Sequence, residues 1–374
     1  MKTWLKRIIL IAAVIAVLAA VLLGLYVLES RYYAVGKFLY PAYTFLNQAY
    51  QQRVYPDAGS KDTVVYCDYY TWHGPQQWER GYSNQPVLGF YHSLDQEAIN
   101  KHIEWFNNFG IDVLKVEYLP QFDDTITQGI LEADLGQTKI CLMYDSRLRF
   151  ESVGFLSPPY DFNQEKIAST FIDDMNHIAD TYFDSDNYFK IAGRPVLWIY
   201  VTRDFTGPYK QVIDTVRQDL ADKGYQVYLV GDAVFWNYKL GQASTFDAVS
   251  CYSAYAGRPQ NTAEFAERLK MLYMVWKTAA SLSGTDFIPA GIPAYDDRSL
   301  SSERITVAPL EGTGPEFGYQ LEVIKAFLDP VNISPGLTQV TIATFNEHQE
   351  GSSVEPSLEW GYDRIEQIPR IFGP

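Results

Sequence analysis

Along the chain, short runs of β-branched and aromatic residues alternate with stretches whose apolar positions repeat every three to four residues. The first kind of run predicts buried strands and the second predicts amphipathic helices. Eight strands are expected, at 63–67, 111–118, 139–144, 195–200, 226–231, 246–252, 287–292 and 339–345. Between them, 95–109 places Ile99, Ile103 and Phe106 on one helical face, and 164–182 does the same with Ile167, Phe171, Met175 and Ile178. Eight strand–crossover units predict an α/β fold, a single (β/α)8 TIM barrel, rather than an open doubly wound sheet, which has fewer strands and a Gly-rich first turn.

Ahead of the alternation the pattern differs. Residues 8–28 are uncharged and apolar, and Lys2, Lys6 and Arg7 precede them. A helix of that length is ~30 Å long and matches the hydrocarbon core of a bilayer. The run predicts an N-terminal transmembrane signal-anchor helix, and the preceding positive charges predict a cytoplasmic N-terminus with the rest extracytoplasmic. The run is long for a cleaved signal peptide and no clean A-x-A site follows it. The expected organisation is a cytoplasmic N-terminus at 1–7, the span at 8–28, an aperiodic stalk at 29–60 and the barrel at 61–374.

Composition narrows the function. Of 374 residues, 47% are hydrophobic, ample for a large core, and the formal net charge of −15 excludes the basic face that nucleic-acid binding requires. Aromatics reach 15%, in keeping with surfaces that stack on sugars as well as with barrel packing. Cys67, Cys141 and Cys251 lie in apolar runs far from any C-x-x-C pattern and read as small buried hydrophobes. Five His with no H-x-H or H-E-x-x-H spacing give no zinc motif, and no metal or cofactor is expected.

Active sites of such barrels form where strands end, so the residues after each run carry the candidate chemistry. The loops 68–94, 145–163 and 293–316 are the longest. After the last strand the chain reads Asn346-Glu347-His348-Gln349-Glu350-Gly351. Glycoside cleavage needs one group to protonate the leaving oxygen and another to assist at or near the anomeric carbon, and two carboxyls supply both. Spacing alone favours a solvated acidic loop in an already acidic protein. Around the pair, Tyr70, Trp72, His73, Trp78, Glu117, Tyr144, Asp145, Tyr200, Asp232, Tyr252, Asn346 and Glu355 are candidate substrate-binding residues. For the aromatics and histidines the alternative is loop packing, and for Glu117 and Asp232 it is buried salt-bridging.

The Asn346–Gly351 stretch resembles the N-E-x-H-E-G segment of glycoside hydrolase family 99, the endo-α-mannosidases and endo-α-mannanases. Asp68-Tyr69-Tyr70-Thr71-Trp72-His73-Gly74 looks like that family's Y-Y-x-W-x-G after the first strand, the stretch 86–95 with His102-Ile103 and Gly110-Ile111-Asp112 is similar to its segment joining the first two strands, and the stretch 188–196 resembles the same family before the fourth strand. The resemblance spans most of 63–360. It implies a retaining mechanism in which Glu347 draws the proton from the substrate's 2-hydroxyl, that oxygen forms a 1,2-anhydro sugar, and Glu350 acts as acid and then base. It implies an oligo- or polysaccharide substrate. Two departures stand out: His348-Gln349 replaces Trp-His between the glutamates, and Met143-Tyr144-Asp145-Ser146-Arg147 replaces a glutamate-bearing segment. Barrels of this sequence type also accompany bacterial polysaccharide assembly loci, so the alternative is a carbohydrate-binding or remodelling barrel with weak or lost hydrolase activity.

Overall fold

In the computed structural model, residues 24–25, 33–54, 62–120, 122–257, 260–300 and 308–373 are described. The predicted span at 8–28 therefore lies outside the described residues except at Gly24 and Leu25, and among those described no helix is long and apolar enough to cross a membrane.

The core is a parallel sheet with helical crossovers, a TIM-like α/β architecture. Its strands are β1 (Asp62–Tyr69), β2 (Val113–Tyr118), β3 (Lys139–Tyr144), β4 (Arg194–Ile199), β5 (Tyr228–Asp232), β6 (Ala248–Ser250), β7 (Asp286–Phe287), β8 (Ala290–Gly291) and β9 (Leu337–Ile342). They neighbour one another in the order β7-β6-β5-β4-β3-β2-β1-β9-β8. The two edges are thus one segment, broken at Ile288-Pro289. Pro289 has no N–H to donate, which interrupts the ladder there. Ile288 N–H still donates to Val249 O (3.0 Å), on β6, while Pro289 O accepts from Thr341 N–H (3.0 Å), on β9. The segment expected as a single strand at 287–292 so joins both ends of the sheet.

The interior is unusually polar and layered. Lower down, Tyr66 Oη donates to Gln339 Oε1 (2.7 Å), Gln339 Nε2 to Tyr228 Oη (3.1 Å), and Tyr228 Oη to Asp286 Oδ2 (2.6 Å). Above lies Lys115, whose Nζ donates to Thr341 Oγ1 (2.8 Å), pairs with Asp68 Oδ1 (3.0 Å) and sits 3.9 Å from the centre of the Trp198 ring. Inward residues advance in steps of two, Tyr66 to Asp68, Lys115 to Glu117 and Gln339 to Thr341, as strand geometry requires.

The helices follow their periodicity. Helix α2 (Gln96–Asn108) is capped by Asp95, whose side chain accepts from Glu97 N–H, and buries Ile99, Ile103 and Phe106. Helix α3 (Glu165–Tyr182) buries Ile167, Phe171, Met175 and Ile178. The three cysteines are buried free thiols. One difference is large. Part of the stretch read as an aperiodic stalk forms helix α1 (Ala34–Val54), laid against α4 (Thr262–Ser283). Its period is hidden because apolar residues face both inward and outward.

Candidate active site

The C-terminal ends of the strands gather Asp68, Tyr70, Glu117, Asp145, Tyr200, Tyr252, Glu347 and Glu350 around one mouth. After β9 the chain is pinned by Phe345 N–H donating to Asp68 O (2.7 Å), and Asn346 clamps the end of β1. Its Oδ1 accepts from Tyr70 N–H (2.8 Å) and its Nδ2 donates to Tyr70 O (3.0 Å). Asn346 is thus a brace, fully buried, not a group facing solvent. Glu347 follows, 3% exposed, with Oε1 accepting from Gln349 N–H (3.0 Å) and Glu350 N–H (3.3 Å). Those bonds curl the chain so that Glu350, half-buried, turns back toward the same mouth. Charges on Glu347 and Glu350 both act on the Tyr252 phenol, which burial first and then these charges push well above its ordinary value.

Opposite them sits a carboxyl pair. Burial, then the neighbouring Asp145, Glu347 and Asp68, push Glu117 well above the usual carboxylate range, and its carboxyl hydrogen-bonds that of Asp145. Asp145, raised by burial against the stabilising bond from Glu117, also caps the next helix through Leu148 N–H (2.9 Å). Burial outweighs Lys115 at Asp68, which is pushed up to about 6. Asp68 Oδ2, Glu117 Oε2 and Trp198 Nε1 are buried without hydrogen-bond partners, and Asp68 Oδ1 meets only Lys115 Nζ (3.0 Å). Buried polar atoms are almost always bonded, so this cluster marks where a hydroxyl-rich ligand or water belongs.

Other expected binding residues lie elsewhere. Tyr144 points to the outer face of β3, where its hydroxyl donates to Asp174 (2.8 Å), because it is one residue out of phase with the inward set. The Asp232 carboxylate is taken up by Arg203 (2.5 Å), Val201 N–H (2.9 Å) and Tyr252 N–H (3.1 Å), so it orients the rim. Trp78 donates to Tyr91 O (2.8 Å) and stacks on His73 at 4.7 Å, both buried below the loop. Burial drops His73 to about 3. Trp72 stands at the rim, 38% exposed, stacked 4.2 Å on Tyr70, whose hydroxyl donates to Tyr252 (2.8 Å). Tyr200 packs edge-on against Tyr252 at 5.7 Å.

Glu355 is buried behind the Glu347–Glu350 loop. It accepts from Tyr91 Oη (2.7 Å), His348 Nε2 (2.9 Å) and His102 Nε2 (3.2 Å). Burial would raise its carboxyl, yet His102 and His348 outweigh it and hold it well below the usual range. Lys115 and Arg203 escaped the sequence reading, and His102 and His348 entered it only as parts of the family-resembling segments, without a site role. Lys115 had a signal: a lysine inside an apolar strand, two residues from Glu117 and so on the same face.

Residues 162–368 match the family described as Glycosyltransferase WbsX, more than half of the chain. The chain belongs to the WbsX family. The matched region runs from α3 through Asn346–Gly351, and no curated protein matches the chain. Among solved structures this WbsX-family chain is similar to a "Glycoside hydrolase-like protein", at a TM-score of 0.61 and 16% identity over 84% of this chain and 95% of that one. It is likewise similar to the GH99 endo-α-mannosidase from Bacteroides thetaiotaomicron, at a TM-score of 0.59 and 18% identity over 84% and 97%. The structure of that enzyme with bis-tris-propane gives 0.58 and 19%. These likenesses are of fold.

Proposed function

We propose that this WbsX-family protein is a membrane-anchored, glycosidase-type enzyme that cleaves an α-linked, mannosidase-like glycan with retention of configuration. The observation that carries the reading is the Glu347–Glu350 pair at the end of the last barrel strand, one carboxylate buried and oriented by backbone N–H groups, the other half-buried over the same mouth.

In this reading Glu347 takes the proton of the sugar's 2-hydroxyl, and O2 attacks the anomeric carbon as Glu350 protonates the departing oxygen. Glu350 then removes a proton from water as it opens the 1,2-anhydro ring, and Glu347 returns its proton to O2. Asp68 Oδ2 and Glu117 Oε2, which have no protein partner, meet sugar hydroxyls. Trp72, on Tyr70, offers a face for a pyranose. The family's name suggests glycosyl transfer, which the same two carboxyls perform when a sugar hydroxyl replaces water. Among the described residues the mouth disfavours a nucleoside-diphosphate donor: Lys115, Arg203 and Arg147, the cations beside its carboxylates, are held by Asp68, Asp232 and Glu151. A diphosphate would meet uncompensated negative charge.

The test is the full chain in detergent incubated with α-mannan oligosaccharides and followed by proton NMR. Release of a product with the α configuration, abolished in Glu347→Gln, is expected. Initial release of the β-anomer, or parental turnover in Glu347→Gln, sinks the assignment.

A further inference from the structure

Helix α1 carries two apolar faces, and only one is covered. Gly36, Tyr40, Tyr43 and Gln51 face the barrel: the Tyr40 and Tyr43 rings pack on Phe327 at 5.8 and 5.6 Å, and Gln51 Nε2 donates to Leu328 O (2.8 Å). On the far side, Phe38 is 81%, Phe45 71% and Leu46 64% exposed, flanked by Leu39 and Tyr50. At 100° per residue these five fall within one broad arc directed away from the barrel. In a chain with 45 acidic residues, the 21-residue helix has none, and its charges are Lys37, turned away from the arc toward Glu267, and Arg53 in the last turn, within the arc. Scattered exposed apolar residues are ordinary; a contiguous stripe of large ones marks an interaction surface.

The sequence ahead of α1 points to what covers it. The uncharged run 8–28 ends a few residues before Ala34, and the intervening chain reaches at most about 20 Å even fully extended. If that run spans a bilayer, as the proposed function holds, α1 starts within reach of the membrane surface. We infer that the Phe38–Tyr50 face of α1 lies in the bilayer interface, with Phe and Tyr rings at headgroup depth and Arg53 beside anionic lipid. The inference rests on the anchor reading and adds an orientation to it. Lys37 meets Glu267 in the first turns of α4, and Gln51 meets Asp329, shortly before β9 begins. Helix α1 therefore runs lengthwise along the barrel wall, from the mouth end to the base. A bilayer against its outer face leaves the mouth opening sideways, parallel to the membrane, within reach of glycans attached close to it.

The experiment uses the full chain in proteoliposomes of brominated phosphatidylcholine with phosphatidylglycerol. Single Phe38→Cys, Phe45→Cys and Gln48→Cys variants carry an environment-sensitive fluorophore; the three native cysteines are buried and spared under native labelling. Labels at 38 and 45 should lose about half of their emission or more to bromine, since interfacial helices bury their apolar face ~5–10 Å deep, while the label at 48 should not. Alkaline carbonate extraction separates the two readings. Protein that stays in the membrane with unquenched labels at 38 and 45 overturns the interface while keeping the anchor. Protein that is extracted and unquenched overturns both. Labels shielded from aqueous quencher, unquenched by bromine and dependent on protein density show a second copy on this face, which also overturns the inference.

Discussion

Glu355→Gln tests whether the buried network behind the glutamates holds them in place. Glu355 accepts three hydrogen bonds, from Tyr91, His348 and His102, and none of the four side chains meets appreciable solvent. His348 lies between Glu347 and Glu350, and its other nitrogen faces Asn84 Oδ1 at 2.5 Å, so both ring nitrogens face oxygens. A glutamine fills the same volume but has one oxygen. Its amide nitrogen must face either Oε1's partner or Oε2's, which turns at least one bond into a donor–donor contact. An orphaned buried donor costs about 1–3 kcal/mol, and the two remaining bonds lose charge assistance worth about 1 kcal/mol each. The sum, about 3–5 kcal/mol, agrees with the cost of breaking a buried ion pair. For a domain of this size that is a fall in Tm of about 6–10 °C by differential scanning fluorimetry. Because the carboxyl is held below its ordinary pKa, its contribution is present above pH ~4.5 and lost as pH falls below it. The gap between parent and variant should therefore narrow at low pH. Turnover should fall with the melting point, through displacement of the Glu347–Glu350 loop. A variant within 2 °C of the parent and within about twofold in turnover, where about 3 kcal/mol was expected, would refute this account of the network.

Three further outcomes are expected. His73, dropped to about 3 by burial, stays neutral while the unfolded chain takes up a proton below pH ~6.5, so stability should fall by about 1.4 kcal/mol per pH unit as pH drops from 6.5 toward 5. In His73→Phe, which keeps the stacking on Trp78, melting curves from pH 7.5 to 5 should be flatter than the parent's; equal slopes would remove His73 as the cause. Glu350→Gln should lose about 10²–10⁴ in kcat on natural glycans and much less on activated aryl glycosides, which need little protonation; equal losses on both would argue against an acid role. Trp72→Ala, at the exposed rim, should raise KM for oligosaccharide by roughly tenfold, about 1–1.5 kcal/mol of lost stacking, with Tm unchanged; an unaltered KM would move the sugar subsite elsewhere.

Much of the fold was legible in the sequence because strand and helix periods are local: a strand buried on both faces must be a short apolar run, and a crossover helix must repeat its apolar residues near every 3.6. All eight expected strand positions carry strand, and the step of two along 111–118 already placed Lys115 and Glu117 on one face. Sequence also located the chemistry, since a barrel's strand ends are its mouth. What it could not decide is which polar groups find each other. Tyr144 and Asp145 are neighbours in the chain, yet one residue of phase sends the first to Asp174 outside the barrel and the second to Glu117 inside. Asp232 looked as available as Glu117 until the fold brought Arg203 against it, and Glu355 became the anchor of two histidines from distant segments. Helix α1 is the same lesson at larger scale: a helix that is apolar all round has no moment to read, and only packing against Phe327 reveals which of its faces the barrel covers and which it leaves open. Hydrophobic pattern is a property of one segment with itself, while hydrogen bonds and ion pairs depend on distances between segments, and those exist only once the chain has closed.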